Sequence, residues 1–467
     1  MPYTILVDFG STFTKTVVLD LENGEKVMTS HYPSTVNTDA SIALNANLLE
    51  VKKYIGEKGV AQAQIRASSS AAGGLRMIVS GLTPHYSLTA GKNVALGAGA
   101  RVIKTYSYLL SDDDICQIEK INPEILLLCG GIEGGNGDWV FENAVKLAKS
   151  NTLLNPIVYA GNQKIAKEVR AILLRSQKEC YVVENVFPSL KEFNAAPAGA
   201  VIRNLFMKRI VGMKGLSNVK DMVGDVLMPT PAAVLEGGCL LAEGNLTEPG
   251  FGECMVFDVG GATTDVYSFI KNQAGNLKMT GAPEPDHKRT VEGDLGLRSS
   301  ACSLLDAVNV RQFALSLSEN SSRPIEETWI LNRCGYRKSH EDYIAENEIE
   351  RKLDDILAQY AVKISARRHG GRILNAYTKG AGEIQEGKNL NGIRSIIGTG
   401  GPIIYNENPC SILLQALRTE REKEMLLPTD ARFYLDSSYL LYAIGLAAPL
   451  NPSGALYIAK ENIEEIG

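Results

Sequence analysis

Asp8-Phe9-Gly10-Ser11-Thr12-Phe13-Thr14 and Asp258-Val259-Gly260-Gly261-Ala262-Thr263-Thr264 share one pattern, Asp-x-Gly-x-x-x-Thr, in the same local setting. The first copy closes a short apolar run rich in β-formers, Tyr3 to Phe9, and a second run resumes from Thr14 to Leu21. Asn23-Gly24 then marks a tight hairpin turn, and Glu25 to His31 returns as a third strand. The downstream copy repeats the plan. Cys254 to Val259 is an apolar run, Gly260-Gly261-Ala262 breaks it, and Asp265 to Ile270 resumes it. Asn272 to Asn276, with Gly275 inside it, reads as the turn before Leu277. A strand–loop–strand–turn–strand unit that recurs this far along a chain predicts two similar lobes and not a solenoid of short repeats.

Outward from the two copies the pattern is α/β. Glu124 to Cys129 reads as a buried strand ending in Gly130-Gly131, and Asp138 to Lys149 carries helical spacing through Val140, Ala144, Val145 and Ala148. Pro156 to Tyr159 is a strand before Ala160-Gly161-Asn162, Gln163 to Arg175 a helix, and Tyr181 to Val183 a further strand. Such alternation implies a mostly parallel sheet. Past the second copy, Gly296 to Leu317 and Glu341 to Arg367 read as largely helical. Ile393 to Ile397 is a strand ending in Gly398-Thr399-Gly400-Gly401, and Leu440 to Ala448 an apolar helix with small residues at Ala443, Gly445, Ala447 and Ala448. The expected division is a first lobe over 1–245, with an α/β extension over about 80–230, and a second lobe over 246–467. Breaks are expected near Leu246–Glu253 and Ser318–Arg323.

Composition narrows the function classes. A chain of 467 residues is long enough for two to four domains at roughly 100–200 residues each. The net charge of −5 and the absence of Lys/Arg runs interleaved with aromatics argue against a nucleic-acid surface. The eight cysteines are scattered, with no Cys-x-x-Cys pair, which argues against a zinc or iron–sulfur site and favours small buried hydrophobes in a reducing compartment. No stretch has signal-peptide or transmembrane character, so the cytoplasm is the expected location, with no membrane partner. The sequence leaves the oligomeric state open.

The chemistry sits in three glycine-bearing loops. In the first, Asp8 ends a buried strand, Gly10 permits a tight turn, Ser11 and Thr12 offer hydroxyls, and Lys15 places a cation close by. Successive backbone N–H groups in such a turn form an anion-binding concavity. The second loop, Asp258 to Asp265, adds adjacent glycines, Gly260 and Gly261, then Ala262, Thr263 and Thr264. A matched pair of such loops places two carboxylates, Asp8 and Asp258, near a polyphosphate. Mg²⁺ prefers oxygen ligands and keeps several waters, so both carboxylates are expected to bind it through water. The third loop, Gly398-Thr399-Gly400-Gly401-Pro402, lets backbone approach a flat ligand.

The ordered set resembles the actin, sugar-kinase and heat-shock chaperone ATPase superfamily. Asp8 to Lys15 resembles its first phosphate motif, and Pro229 to Gly238 its first connecting helix. Asp258 to Asp265 resembles the second phosphate motif, Ile396 to Ile403 the adenosine motif, and Tyr442 to Ala448 the second connecting helix. The resemblance implies two ribonuclease H-like lobes around a nucleotide cleft, ATP and Mg²⁺ as ligands, Lys15 beside the phosphates and Thr263 at the γ-phosphate. Gly237, Gly238 and Gly445 would lie near the connecting helices.

Ala67 to Leu75, Leu128 to Asn136 and Arg289 to Gly296 are similar to stretches of the glutamate mutase accessory proteins, the MutL or GlmL family, which is unrelated to mismatch repair. That resemblance implies an ATP-dependent reactivating factor for an adenosylcobalamin-dependent mutase, glutamate mutase first among the candidates. Residues 80–230 would contact the partner. Glu292 and Asp294 are candidates for the nucleotide's surroundings, and His287 with these two carboxylates fits no standard metal spacing. Three alternatives remain: a small-molecule kinase on the same fold, a nucleotide-dependent filament or scaffold protein, and a dehydratase activator with a bridging iron–sulfur cluster.

Overall fold

A computed structural model describes residues 3–10, 12–70, 75–211, 219, 222–223, 227–271, 278–318, 324–375 and 383–467. Ser11, residues 71–74, the turn at 272–277 and most of the break expected at 318–323 lie outside the described residues.

The first copy of the pattern builds a five-stranded sheet. β1 (Thr4–Phe9) is buried along its whole length, as a strand with neighbours on both edges and cover on both faces must be. It pairs antiparallel with β2 (Phe13–Asp20), which pairs antiparallel with β3 (Glu25–Pro33). On its other side β1 pairs parallel with β4 (Gln64–Ser69), and β4 with β10 (Leu227–Pro229). The second copy does the same. β11 (Cys254–Val259) pairs antiparallel with β12 (Thr264–Phe269), and β12 with β14 (His287–Glu292). β11 pairs parallel with β17 (Ser395–Thr399), and β17 with β19 (Arg432–Leu435), after which β20 (Glu464–Glu465) adds an antiparallel edge. Numbered within each copy, both sheets read 3-2-1-4-5 with the second strand reversed, the ribonuclease H-like arrangement. The chain therefore adopts the two similar lobes expected from the repeat and the ribonuclease H-like class implied by the superfamily resemblance.

A third sheet occupies the expected α/β extension. It contains β5 (Arg76–Gly81), β6 (Arg101–Ser107), β7 (Ile125–Leu128), β8 (Ile157–Tyr159) and β9 (Cys180–Val182), in the order β6-β5-β7-β8-β9 and all parallel. This 2-1-3-4-5 order is doubly wound. Met77, Val79 and Leu127 join one core cluster, whereas Ile78, Leu126, Leu128, Ile157 and Tyr159 join another, so both faces are covered. The sequence reading located β7, β8 and β9 and missed β5 and β6. β6 is an edge strand whose exposed Arg101, Lys104 and Thr105 hide its period. A fourth sheet, β13-β16-β15-β18, is formed by β13 (Lys278–Thr280), β15 (Gly371–Asn375), β16 (Glu383–Glu386) and β18 (Met425–Leu426).

By density of internal contacts the chain forms two compact units. One holds Met1–Leu240, Thr280–Pro285 and Leu441–Ile458; the other holds Leu241–Met279, Asp286–Leu440 and Ala459–Gly467. In the first unit, the helix Leu441–Ala447 crosses the helix Thr230–Glu243 at very close range. A Cβ on Gly237 would lie 2.1 Å from the Leu441 carbonyl oxygen, and one on Gly445 would lie 1.9 Å from that of Ala233. Both positions therefore require glycine.

Two helical expectations shorten. Gly296 to Leu317 resolves into helices Ala301–Ala307 and Val310–Ser318, broken at Asn309 (φ 21°). The stretch 341–347 is not helical, and the long helix Glu348–His369 begins where Asn347 accepts a hydrogen bond from the Glu350 amide at 3.1 Å. Of the eight cysteines, Cys129, Cys180, Cys254 and Cys334 are buried, Cys239, Cys302 and Cys410 are half-buried and Cys116 is exposed. Fewer are deeply buried than the sequence suggested. Among the described residues no helix is long and apolar enough to cross a membrane.

Candidate functional site

In the first unit Asp8 lies directly across the ladder from Lys15 of β2 and beside Ser68 of β4. Ser68 in turn neighbours Met228 of β10, two residues before Thr230. The carboxyl ends of three adjacent parallel strands thus converge. Asp8 is only 5 % exposed, and its Oδ1 accepts hydrogen bonds from Ser68 Oγ (3.2 Å) and from Thr230 Oγ1. Burial raises the Asp8 pKa, against the opposing pull of the Lys15 charge and the two hydroxyl donors. The Gly10 amide closes the turn on the Phe13 carbonyl at 3.1 Å, and Ser34 holds the loop by donating from its amide to Thr12 O (2.9 Å) and from its hydroxyl to Gly10 O (2.6 Å). Thr12 is exposed and Lys15 half-buried.

In the second unit the equivalent turn is closed by the Gly260 amide on the Thr263 carbonyl at 2.9 Å. Half-buried Asp258 stands across from Asp265 of β12 and beside Thr399 of β17. Asp265 accepts two hydrogen bonds on Oδ1 from buried Arg289, from Nε at 2.9 Å and from Nη2 at 2.6 Å, while Thr263 Oγ1 donates to its Oδ2 at 3.3 Å. Thr264 is fully buried and donates its hydroxyl to Leu295 O at 2.6 Å. The glycine loop after β17 closes on the same place. Gly400 has φ +91°, and a Cβ there would lie 2.2 Å from Val259 O and 2.8 Å from Asp258 Oδ1. Thr399 donates its hydroxyl to Asp436 O at 3.2 Å, and Pro402 sits in the first turn of Gly401–Ile404. Tyr439, held left-handed at φ 52°, has its hydroxyl pKa pushed up by burial and then by the charge of Asp258.

Each unit therefore gathers its own share of the sequence-derived residues. Asp8, Gly10, Thr12 and Lys15 meet at one sheet's edge. Asp258, Gly260, Gly261, Ala262, Thr263 and the 398–401 loop meet at the other's. The grouping of His287, Glu292 and Asp294 divides. His287 Nε2 pairs with Glu243 Oε1 at 2.9 Å, whereas Glu292 and Asp294 both accept from Arg368, each at 2.8 Å from Nη1. Asp294 has its pKa lowered, first by the Arg368 hydrogen bond.

Sequence reasoning gave no site role to Ser68, Thr230, Asp265, Arg289 or Tyr439. Four of these five lie within stretches singled out for family resemblance: Ala67 to Leu75, Pro229 to Gly238, Asp258 to Asp265 and Arg289 to Gly296. The signal for a role was present there, and only the strand pairings reveal the target.

The donor set is made of carboxylate and hydroxyl oxygens, backbone amides and a lysine, which suits phosphate and a hydrated hard cation. Comparison with known proteins gives three findings. Residues 4–463 match the family model described as MutL protein. The "Protein MutL" of Clostridium tetanomorphum is 39 % identical over 465 residues, covering 99 % of both chains. Among solved structures, component A of the (R)-2-hydroxyglutaryl-CoA dehydratase of Acidaminococcus fermentans aligns over 99 % of each chain, with 10 % identity and a TM-score of 0.32. Xylulose kinase from Bifidobacterium adolescentis aligns over 100 % of this chain and 96 % of its own, with 11 % identity and a TM-score of 0.33.

Proposed function

The chain belongs to the MutL protein family, and we propose that it is an ATP-hydrolysing reactivating factor for an adenosylcobalamin-dependent mutase, glutamate mutase before others. The observation that carries the nucleotide reading is the paired Asp-x-Gly-x-x-x-Thr hairpin, with its aspartate at the same register position at the end of each ribonuclease H-like sheet. In this reading each loop serves the phosphates of Mg-ATP. Lys15 and the amides of Thr12 and of Gly261 to Thr263 neutralise the β- and γ-phosphates, with Ser11 in the same loop and with Gly10 and Gly260 closing the two turns. Thr263 contacts the γ-phosphate, and Gly398 to Gly401 receive the adenosine. Asp8 and Asp258 would hold Mg²⁺ through water, and a bound ion would offset the charge that develops on the phosphates. Asp8, kept in place by Ser68 and Thr230, orders the attacking water. Phosphoryl transfer depends mainly on positioning and electrostatics, so no covalent nucleophile is needed.

Hydrolysis in this scheme drives a change of shape that favours a mutase conformer open enough to exchange damaged cobalamin. The parallel-sheet region is the proposed partner contact. It exposes Trp139 (53 %) and Tyr108 (54 %), and Tyr108 O is tied to Asn143, one turn beyond Trp139 on the same helix. Large exposed aromatics of this kind dominate protein interfaces.

The test is a reconstituted assay. Glutamate mutase carrying inactivated cobalamin is mixed with this protein, Mg-ATP and fresh adenosylcobalamin. Recovery of mutase activity that requires hydrolysable ATP is expected, and Trp139→Ala should abolish recovery while leaving ATP turnover intact. Recovery without ATP, phosphorylation of a metabolite, or nucleotide-dependent sedimentation with no effect on the mutase would overturn the reading.

A further inference from the structure

The second phosphate-type loop is held from behind by residues 293–300. The Leu297 amide donates to Gly260 O at 3.1 Å and the Arg298 amide to Gly261 O at 2.7 Å. Ser300 Oγ lies within hydrogen-bonding distance of Ala262 O (2.7 Å) and of Gly293 O (2.9 Å), which share its one proton. Three consecutive loop carbonyls are thereby fixed on one side. In a planar trans peptide the C=O of one residue and the N–H of the next point in opposite directions. Drawing back the carbonyls of Gly260, Gly261 and Ala262 therefore aims the amides of Gly261, Ala262 and Thr263 the other way. Gly296 permits this approach, since a Cβ there would lie 2.4 Å from Gly261 O and from the Ala262 carbonyl carbon.

Arg298 fixes the brace itself. Its Cβ and Cγ lie 3.3 Å from where a Gly261 Cβ would stand. Its guanidinium donates from Nε to Tyr343 O (3.0 Å), and from Nη1 and Nη2 to the two oxygens of Asp354 (3.2 and 3.0 Å). Asp354 is held in turn by fully buried Arg337, Nε to Oδ1 at 2.8 Å, and Arg337 also pairs with Glu350 at 2.7 Å. Such a bidentate fork sets direction as well as charge.

We infer that Arg298, seated by Asp354, is a positioning residue for nucleotide hydrolysis that keeps the amides of Gly261 to Thr263 turned toward the γ-phosphate. This rests on the nucleotide reading above. Arg298→Met keeps the aliphatic stem on Gly261 and leaves Asp354 paired with Arg337, so the fold survives while the fork is lost. Its kcat for ATP should fall about tenfold, less than deletion of a whole oxyanion-type donor, with KM nearly unchanged. Arg298→Lys should recover only part of the loss. Hydrogen exchange in the nucleotide-free protein gives an independent readout: the amides of residues 297 and 298, which donate to the carbonyls of Gly260 and Gly261, should exchange faster in Arg298→Met, with β11 and β12 protected as in wild type. A folded variant with wild-type exchange at 297 and 298 overturns the brace whether or not the protein hydrolyses ATP. A wild-type protein without ATP turnover overturns the nucleotide reading while the exchange comparison still decides the brace.

Discussion

The two hairpins share a backbone and differ in charge. In both, an aspartate is the next-to-last residue of the central strand, a glycine amide two residues later closes the turn on a carbonyl three residues on, and a buried threonine lies at the start of the return strand, first in β12 and second in β2. Across the ladder, Asp8 meets Lys15 whereas Asp258 meets Asp265. The first aspartate is buried and steadied by hydroxyls; the second is half-buried beside an acidic neighbour whose charge Arg289 absorbs. Strand period and turn geometry specify a hairpin without specifying which charge faces the aspartate. The first hairpin thus sets a lysine across from its aspartate, while the second holds Arg289 in an ion pair with Asp265.

That difference predicts opposite consequences for removing the two cross-ladder partners. Asp265→Asn leaves the Arg289 guanidinium, 5 % exposed, without its carboxylate. Breaking a buried pair from one side costs about 3–5 kcal/mol, so the variant should unfold at clearly lower urea concentration. Lys15→Met should shift the urea transition little and instead lower ATP turnover by about a hundredfold, the scale of losing one charge-stabilising group. Equal destabilisation by the two substitutions would show that the hairpins use their partners in the same way.

The extent to which this was legible in the chain follows from the range of the interactions. β1 and β11 are central strands, so each announces itself as an unbroken apolar run ending in Asp-x-Gly. The Asp8–Ser68–Thr230 cluster depends on parallel pairing of β4 and β10, far apart in sequence, and nothing local in Thr230 signals it. The Asp265–Arg289 pair requires the registered partnership of β12 with β14. The stretch from Gly296 reads as the start of a helix, but the amides of Leu297 and Arg298 are committed to the loop carbonyls of Gly260 and Gly261, so the helix starts only at Ala301.

The turn glycines sharpen the comparison at a smaller scale. A Cβ at Gly10 would sit 2.6 Å from the Phe13 carbonyl oxygen, against 3.3 Å from that of Thr263 for Gly260. Gly10→Ala must therefore move backbone, at the roughly 1–3 kcal/mol typical of overpacking. Gly260→Ala requires a shift of only a few tenths of an ångström and should cost less than about 1 kcal/mol, the lower limit of that range. Thermal melts of the two variants give the order directly, and a reversed order would mean that the first turn is the more yielding of the two.

The least obvious contrast lies behind the hairpins. In the first unit, Asn47 of the helix Ala40–Gln62 bridges the strands, donating to Thr14 O (3.0 Å) and accepting from Ser30 Oγ (2.7 Å). In the second, His369 at the end of the helix Glu348–His369 does so, with Nε2 at 2.8 Å from Ser268 Oγ and Nδ1 at 2.8 Å from Thr290 Oγ1. Asn47 does not titrate. His369 is wholly buried, and burial, then Lys288 and Lys388, hold its pKa well below the ordinary value. The unfolded chain takes up this proton near pH 6.5 while the folded one does not. Below that pH the unfolded state binds more protons, so His369 favours folding fully above about pH 6.5 and loses up to about 1.4 kcal/mol per pH unit as the pH falls. His369→Asn should therefore be less stable than wild type at pH 7.5, with the gap narrowing by pH 5.5. Hydrogen exchange at β12 and β14 against β2 and β3 would place the effect. Acid loosening of both hairpins alike, or an unchanged gap, would mean that the imidazole is not the element that distinguishes them.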